Sequence, residues 1–79
     1  VDFVVYKNDQ TILPVEVKYQ NMPAAKITRG FRSFLEAYRP ENAVVITKNL
    51  IDSLLIDSSH VHFIPLAMLD RALALVMGL

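Results

Sequence analysis

No cysteine occurs in the 79 residues. Disulfides and thiolate metal sites are therefore excluded, and a cytoplasmic location is the expectation. Glycine is almost as scarce. Gly30 and Gly78 are the only two, so there is no glycine-rich loop to cradle a nucleotide phosphate. ATP hydrolysis, if a larger parent chain performs it, lies outside this sequence. No run approaches the roughly 18 uncharged apolar residues of a transmembrane helix. The opening Val1-Asp2-Phe3 carries no signal-peptide pattern. Internal repeats and low-complexity tracts are also missing. Net charge is zero, so no global field draws in a polyanion.

The residues that are present describe a folded domain. Hydrophobic residues make up 53% and charged residues 20%, which is too apolar for disorder. The length suits one domain or part of one. Val1-Asp2-Phe3 reads as the middle of a strand, so residues 1–79 are expected to form the C-terminal part of a single domain truncated at its N-terminus. The charge is unevenly spread. Lys18, Lys26, Arg29, Arg32 and Arg39 face a single acid, Glu36, within residues 18–39.

Residues 1–7 (VDFVVYK) are rich in β-branched and aromatic types and predict a strand. Asn8-Asp9-Gln10 predicts a turn, and residues 11–19 (TILPVEVKY) a second, antiparallel strand containing Pro14. Ile27, Phe31, Phe34, Leu35 and Tyr38 then recur on one helical face, predicting a helix from about Ala24 to Tyr38 that Arg39-Pro40 ends. The run AVVIT at 43–47 predicts a buried strand. A strand–helix–strand crossover makes 11–19 and 43–47 parallel neighbours. Residues 48–60 fit a short helix or a strand. Residues 61–64 predict a short last strand. Pro65 to about Met77 predicts a final helix, apolar nearly all round and expected to pack against missing sequence or a second copy of the chain. The fold class is α/β: an antiparallel hairpin, a helix crossover, a parallel strand, a short last strand and a C-terminal helix.

Side chains alternate along a strand, so Glu16 and Lys18 share one face. With a three-residue loop, Lys7 pairs with Thr11 and the count outward sets Val4 against Pro14 and Asp2 against Glu16. Two opposed carboxylates repel unless something compensates. A divalent cation such as Mg²⁺ or Mn²⁺ between them does so, with Asp2 and Glu16 as its ligands. Lys18 then adds a positive charge for a phosphate or a water. That set suits metal-assisted phosphodiester hydrolysis. Equally, alternating Glu and Lys is a common solvated strand face. Lys26, Arg29 and Arg32 recur at three-residue intervals; they either hold nucleic-acid phosphates near the hairpin or form an ordinary solvated helix face. His60 and His62 share a strand face, without an evident third metal ligand.

VDFVV, a short turn and ILPVEVKYQ together resemble the Asp…Glu-x-Lys core of the PD-(D/E)XK, restriction-endonuclease-like nuclease superfamily. More narrowly, they resemble a domain of unknown function found C-terminal to AAA-type ATPase modules in bacteria and archaea. There the hairpin is followed by a helix with a Phe…Tyr pattern (here Phe34-Leu35-Glu36-Ala37-Tyr38), an apolar strand ending Thr-Lys (here VVITK) and an Ile-Pro-Leu segment (here Ile64-Pro65-Leu66). The resemblance implies a restriction-endonuclease-like mixed sheet and nuclease ancestry, with Asp2, Glu16 and Lys18 at the catalytic positions. It also implies an ATPase module in the same chain. The alternative is a catalytically silent module for nucleic-acid binding or protein interaction.

Overall fold

The computed structural model describes residues 1–6 and 11–71. The hairpin turn with Lys7, and the end of the predicted final helix with Leu73, Val76 and Met77, lie outside the described residues. Five strands form one mixed sheet: β1 (Phe3–Tyr6), β2 (Ile12–Val17), β3 (Asn42–Thr47), β4 (Asp52–Ile56) and β5 (Ser59–Pro65). Their order across the sheet is β1-β2-β3-β5-β4. Helix α1 (Arg29–Tyr38) makes the crossover from β2 to β3.

The predicted parallel pairing holds, with Val15 beside Val44 and Val17 beside Ile46. β3 is the middle strand and is parallel to both neighbours, β2 and β5. This explains its unbroken apolar run, because Ala43, Val44, Val45 and Ile46 are buried on alternate faces. The hairpin register is also the predicted one: Phe3 faces Val15, Val4 faces Pro14, and Tyr6 faces Ile12. Pro14 lies in a strand with neighbours on both sides. Strand alternation turns its nitrogen the same way as that of Lys18, which donates to Ile46 of β3. The parallel ladder begins only at Val15, so the missing N–H falls just before a donor is needed.

Each sheet face carries its own core. On one face Phe31 and Leu35 of α1 pack with Met22, Ala43, Val45, Ile56, Val61 and Phe63. On the other, Leu13, Val15, Val44, Ile46 and Ile64 cluster, with Leu69 against them. Fully burying a large apolar side chain stabilises by roughly 1.5–3 kcal/mol. Phe31 and Phe63, each about 1% exposed or less, are therefore principal contributors to the helix face.

Three sequence expectations need correction. The helix begins at Arg29, not Ala24. Thr28 holds an extended backbone (φ −74°, ψ 162°) and its hydroxyl accepts from the Phe31 N–H, so the chain enters the helix only after it. Ile27, one residue before the cap, still packs on the core four residues before Phe31, which is why the apolar spacing extends too early. Tyr38, placed on the buried face by spacing, is 64% exposed; its ring packs at a tilt against Phe34, with ring centres 4.5 Å apart. Residues 52–56 are a strand and β5 begins at Ser59, the two joined by Asp57-Ser58 with Asp57 left-handed (φ 55°). Pro65 ends β5 and is also the N-cap of the 3₁₀ turn Leu66–Met68, from which α-helix continues over residues 69–71, so the short C-terminal helix begins where the sequence predicts it. Among the described residues, no helix is long and apolar enough to cross a membrane.

Candidate functional site at the β2 strand end

Glu16 lies on the α1 side of the sheet, the face opposite Val15 and Leu13. Its side chain is only 12% exposed, and both its oxygens are engaged. Oε2 accepts from the Thr28 hydroxyl at 3.3 Å. Oε1 lies 3.1 Å from the Val1 amino group. Thr28 is the N-cap of α1, and the first turn of α1 holds no acid of its own. Glu16 therefore places a negative charge from β2 at the positive end of the helix, a favourable arrangement.

Asp2 sits just beyond the hairpin ladder. Its N–H donates to the Val15 carbonyl at 3.0 Å, and its Oδ2 accepts from the Val17 N–H at 2.6 Å. The carboxylate thus caps a β2 amide that β1 no longer reaches, between Glu16 and Lys18 in sequence. The second oxygen, Oδ1, meets no protein donor among the described residues.

Lys18 is half-buried and follows β2 on the Glu16 face. Its N–H donates to the Ile46 carbonyl at 2.7 Å, which carries the parallel pairing one residue further. The chain then turns tightly, Gln20 N–H to Lys18 carbonyl, and Lys48 N–H reaches the Gln20 carbonyl at 3.3 Å. Asn49 accepts from the Met22 N–H through its side chain at 2.9 Å. These bonds tie together the C-terminal ends of β2 and β3, which are the ends where open α/β sheets usually bind ligands. The Lys48 ammonium lies 5.9 Å from the centre of the Tyr19 ring.

Of the predicted basic stripe, Arg29 and Arg32 lie on α1 and are exposed, whereas Lys26 precedes the helix in irregular chain. The stripe is not a helical one, because the cap falls at Thr28. Sequence reasoning also missed Thr28 itself. A Thr three residues before Phe31 is an N-cap signal, but it was masked by apolar spacing that continues upstream.

Mg²⁺ and Mn²⁺ favour oxygen ligands, and Asp2 and Glu16 offer carboxylates at one strand end. Among the described residues, no group of three potential ligands gathers, so water and substrate phosphate would have to complete the coordination of any ion held there. His60 and His62 stand on the opposite sheet face, with ring centres 6.5 Å apart. His62 Nε2 donates to Asn42 Oδ1 at 2.9 Å. Burial, and then the neighbouring His60, lower the His62 pKa from its ordinary value.

No curated protein and no solved structure gives a match. A family model does match over residues 1–69, most of the chain, and it describes a domain of unknown function, DUF4143. With that span matched, the chain belongs to the DUF4143 family, a domain of unknown function.

Proposed function

We propose that this domain is nuclease-like, with Asp2, Glu16 and Lys18 serving divalent-metal-dependent phosphodiester hydrolysis on nucleic acid. The observation that carries the reading is the placement of Glu16. A largely buried carboxylate stands at the end of β2, beside the N-terminus of α1, with Asp2 bonded to the next residue of the strand. A bound Mg²⁺ or Mn²⁺ would supply Lewis acidity and an activated water. The residues of the chain do the rest. Asp2 and Glu16 hold the ion, Lys18 offsets charge on the phosphate, and exposed Arg29 and Arg32, with Lys26, hold the flanking backbone. The PD-(D/E)XK ancestry, the ATPase module in the same chain and a cytoplasmic location belong to this proposal.

A second reading has its own support. One oxygen of each carboxylate already accepts a protein hydrogen bond, Asp2 Oδ2 from the Val17 N–H and Glu16 Oε2 from the Thr28 hydroxyl. Such a site also suits a silent module that binds nucleic acid through its basic residues.

Cleavage and binding assays on the intact protein separate the two. Labelled single- and double-stranded DNA and RNA are incubated with Mn²⁺, using wild type and Glu16→Gln. Mn²⁺-dependent cleavage that the substitution abolishes, with binding retained, supports the nuclease. Binding without cleavage in the wild type selects the silent module. Absence of both removes each reading.

A further inference from the structure

We infer that Thr28 is a positioning residue for Glu16, in addition to capping α1. The inference rests on the reading of Glu16 as a working carboxylate of the site. The Thr28 hydroxyl accepts from the Phe31 N–H at 3.1 Å and donates to Glu16 Oε2 at 3.3 Å. A hydroxyl has one proton and two acceptor positions, so both bonds are held at once. Threonine is β-branched and stiff about its first side-chain torsion. Its hydroxyl is thus fixed by the cap bond, and its proton is left for Glu16.

Helix capping alone does not require this residue. Asp, Asn and Ser cap at least as well as Thr, and Gly caps nearly as well. An Asp at position 28 would accept from Phe31 equally well. It would bring no proton to Glu16, however, and would set a second negative charge beside it. A hydroxyl satisfies both neighbours. Glu16 stands on β2 and Thr28 at the start of α1, so the orientation of the carboxylate follows the seating of the helix.

The test compares Thr28→Ser, Thr28→Gly and Thr28→Asp in protein whose Val1 nitrogen is part of an amide. Thr28 is then the one described donor to Glu16. Nuclear magnetic resonance couplings and relaxation at the Glu16 side-chain carbons report whether it keeps one rotamer, and thermal melting reports the cap. Wild type and Thr28→Ser should hold a single Glu16 rotamer. Thr28→Gly should melt within a few degrees of wild type yet average several rotamers, and Thr28→Asp should displace Glu16 while keeping the helix. A single unchanged Glu16 rotamer in Thr28→Gly overturns the inference. Should that variant fail to fold, an unchanged rotamer in Thr28→Asp does so instead. A Mn²⁺ titration on the same samples tests the underlying reading separately. Affinity should fall roughly tenfold in Thr28→Gly, the usual scale for an outer partner of a metal ligand. No Mn²⁺ effect at Glu16 in the wild type would remove the metal reading, while the rotamer result still decides the role of Thr28.

Discussion

Replacing Thr47 by Val tests the connection that leads out of the central strand. Thr47 ends β3 and is fully buried. Its hydroxyl donates to the Leu50 carbonyl at 2.9 Å and accepts from the Leu50 N–H at 3.0 Å. One side chain therefore satisfies both backbone groups of Leu50 and closes the turn toward β4. Valine has nearly the same shape, so packing is retained and two hydrogen bonds are lost. Each typically contributes about 0.5–1.5 kcal/mol, and a donor or acceptor left buried without a partner costs about 1–3 kcal/mol. The Leu50 groups are only partly buried and regain some water, so a loss of about 2 kcal/mol is expected. For a domain of this size that lowers the melting temperature by roughly 8–16 °C. Urea and thermal unfolding by circular dichroism measure it, with Thr47→Ser as the control that keeps the hydroxyl. If Thr47→Val unfolds within about 0.5 kcal/mol of wild type and Thr47→Ser is the worse variant, the methyl group matters there and the double hydrogen bond does not.

Gly30 lies in the first turn of α1, and a methyl group added there meets nothing within 4 Å. Gly30→Ala should therefore raise stability by about 0.5–1 kcal/mol in a urea melt, and destabilisation would mean that the space is occupied in solution. The lowered pKa of His62 means that the folded state binds its proton less readily than the unfolded chain. The associated stability is present above the unfolded value, near 6.5, and is lost as the pH falls below it toward the folded value. His62→Gln should flatten the stability profile between about pH 7 and pH 5; an unchanged slope would place the effect elsewhere. In the intact protein, Lys18→Ala should lower the Mn²⁺-dependent cleavage rate by more than it weakens Mn²⁺ binding. Equal losses in both would assign Lys18 to holding the site together.

The parts of this fold legible in the sequence are those where a single periodicity rules. The AVVIT run, buried on both faces, gives β3. Strand alternation with a short turn gives the register of β1 on β2, down to Val4 facing Pro14. The same parity sets Glu16 and Lys18 on one face. Legibility fails where two patterns overlap. Leu50, Ile51, Leu54 and Leu55 fit either a helix or a strand. The structure decides for a strand that turns Leu54 and Ile56 toward α1 and leaves Leu55 exposed. Ile27 packs on the core at a spacing that continues the helical stripe, although the chain there is irregular. At the site, spacing places residues on faces but does not choose their partners. The side chain of Asp2 turns to cap Val17, and that of Glu16 turns to Thr28, because unpaired strand-end and helix-end groups compete for the nearest polar atoms.

The sheet order β1-β2-β3-β5-β4 has a consequence for the route by which the chain folds. Each antiparallel pair, β1 with β2 and β4 with β5, joins strands close in sequence, so little loop entropy opposes its closure. β3 has no such partner. It meets β2 only across α1, and β5 only once the chain has passed out through β4 and returned. The two hairpins are therefore the early, local units, and the middle strand is the late one, docking after the flanks that must receive it. The last region to zip is then also the one most completely enclosed. In pulse-labelling hydrogen exchange, the amides of Val44 to Ile46 should gain protection after those of the β4–β5 hairpin. Protection of β3 first would reverse this order.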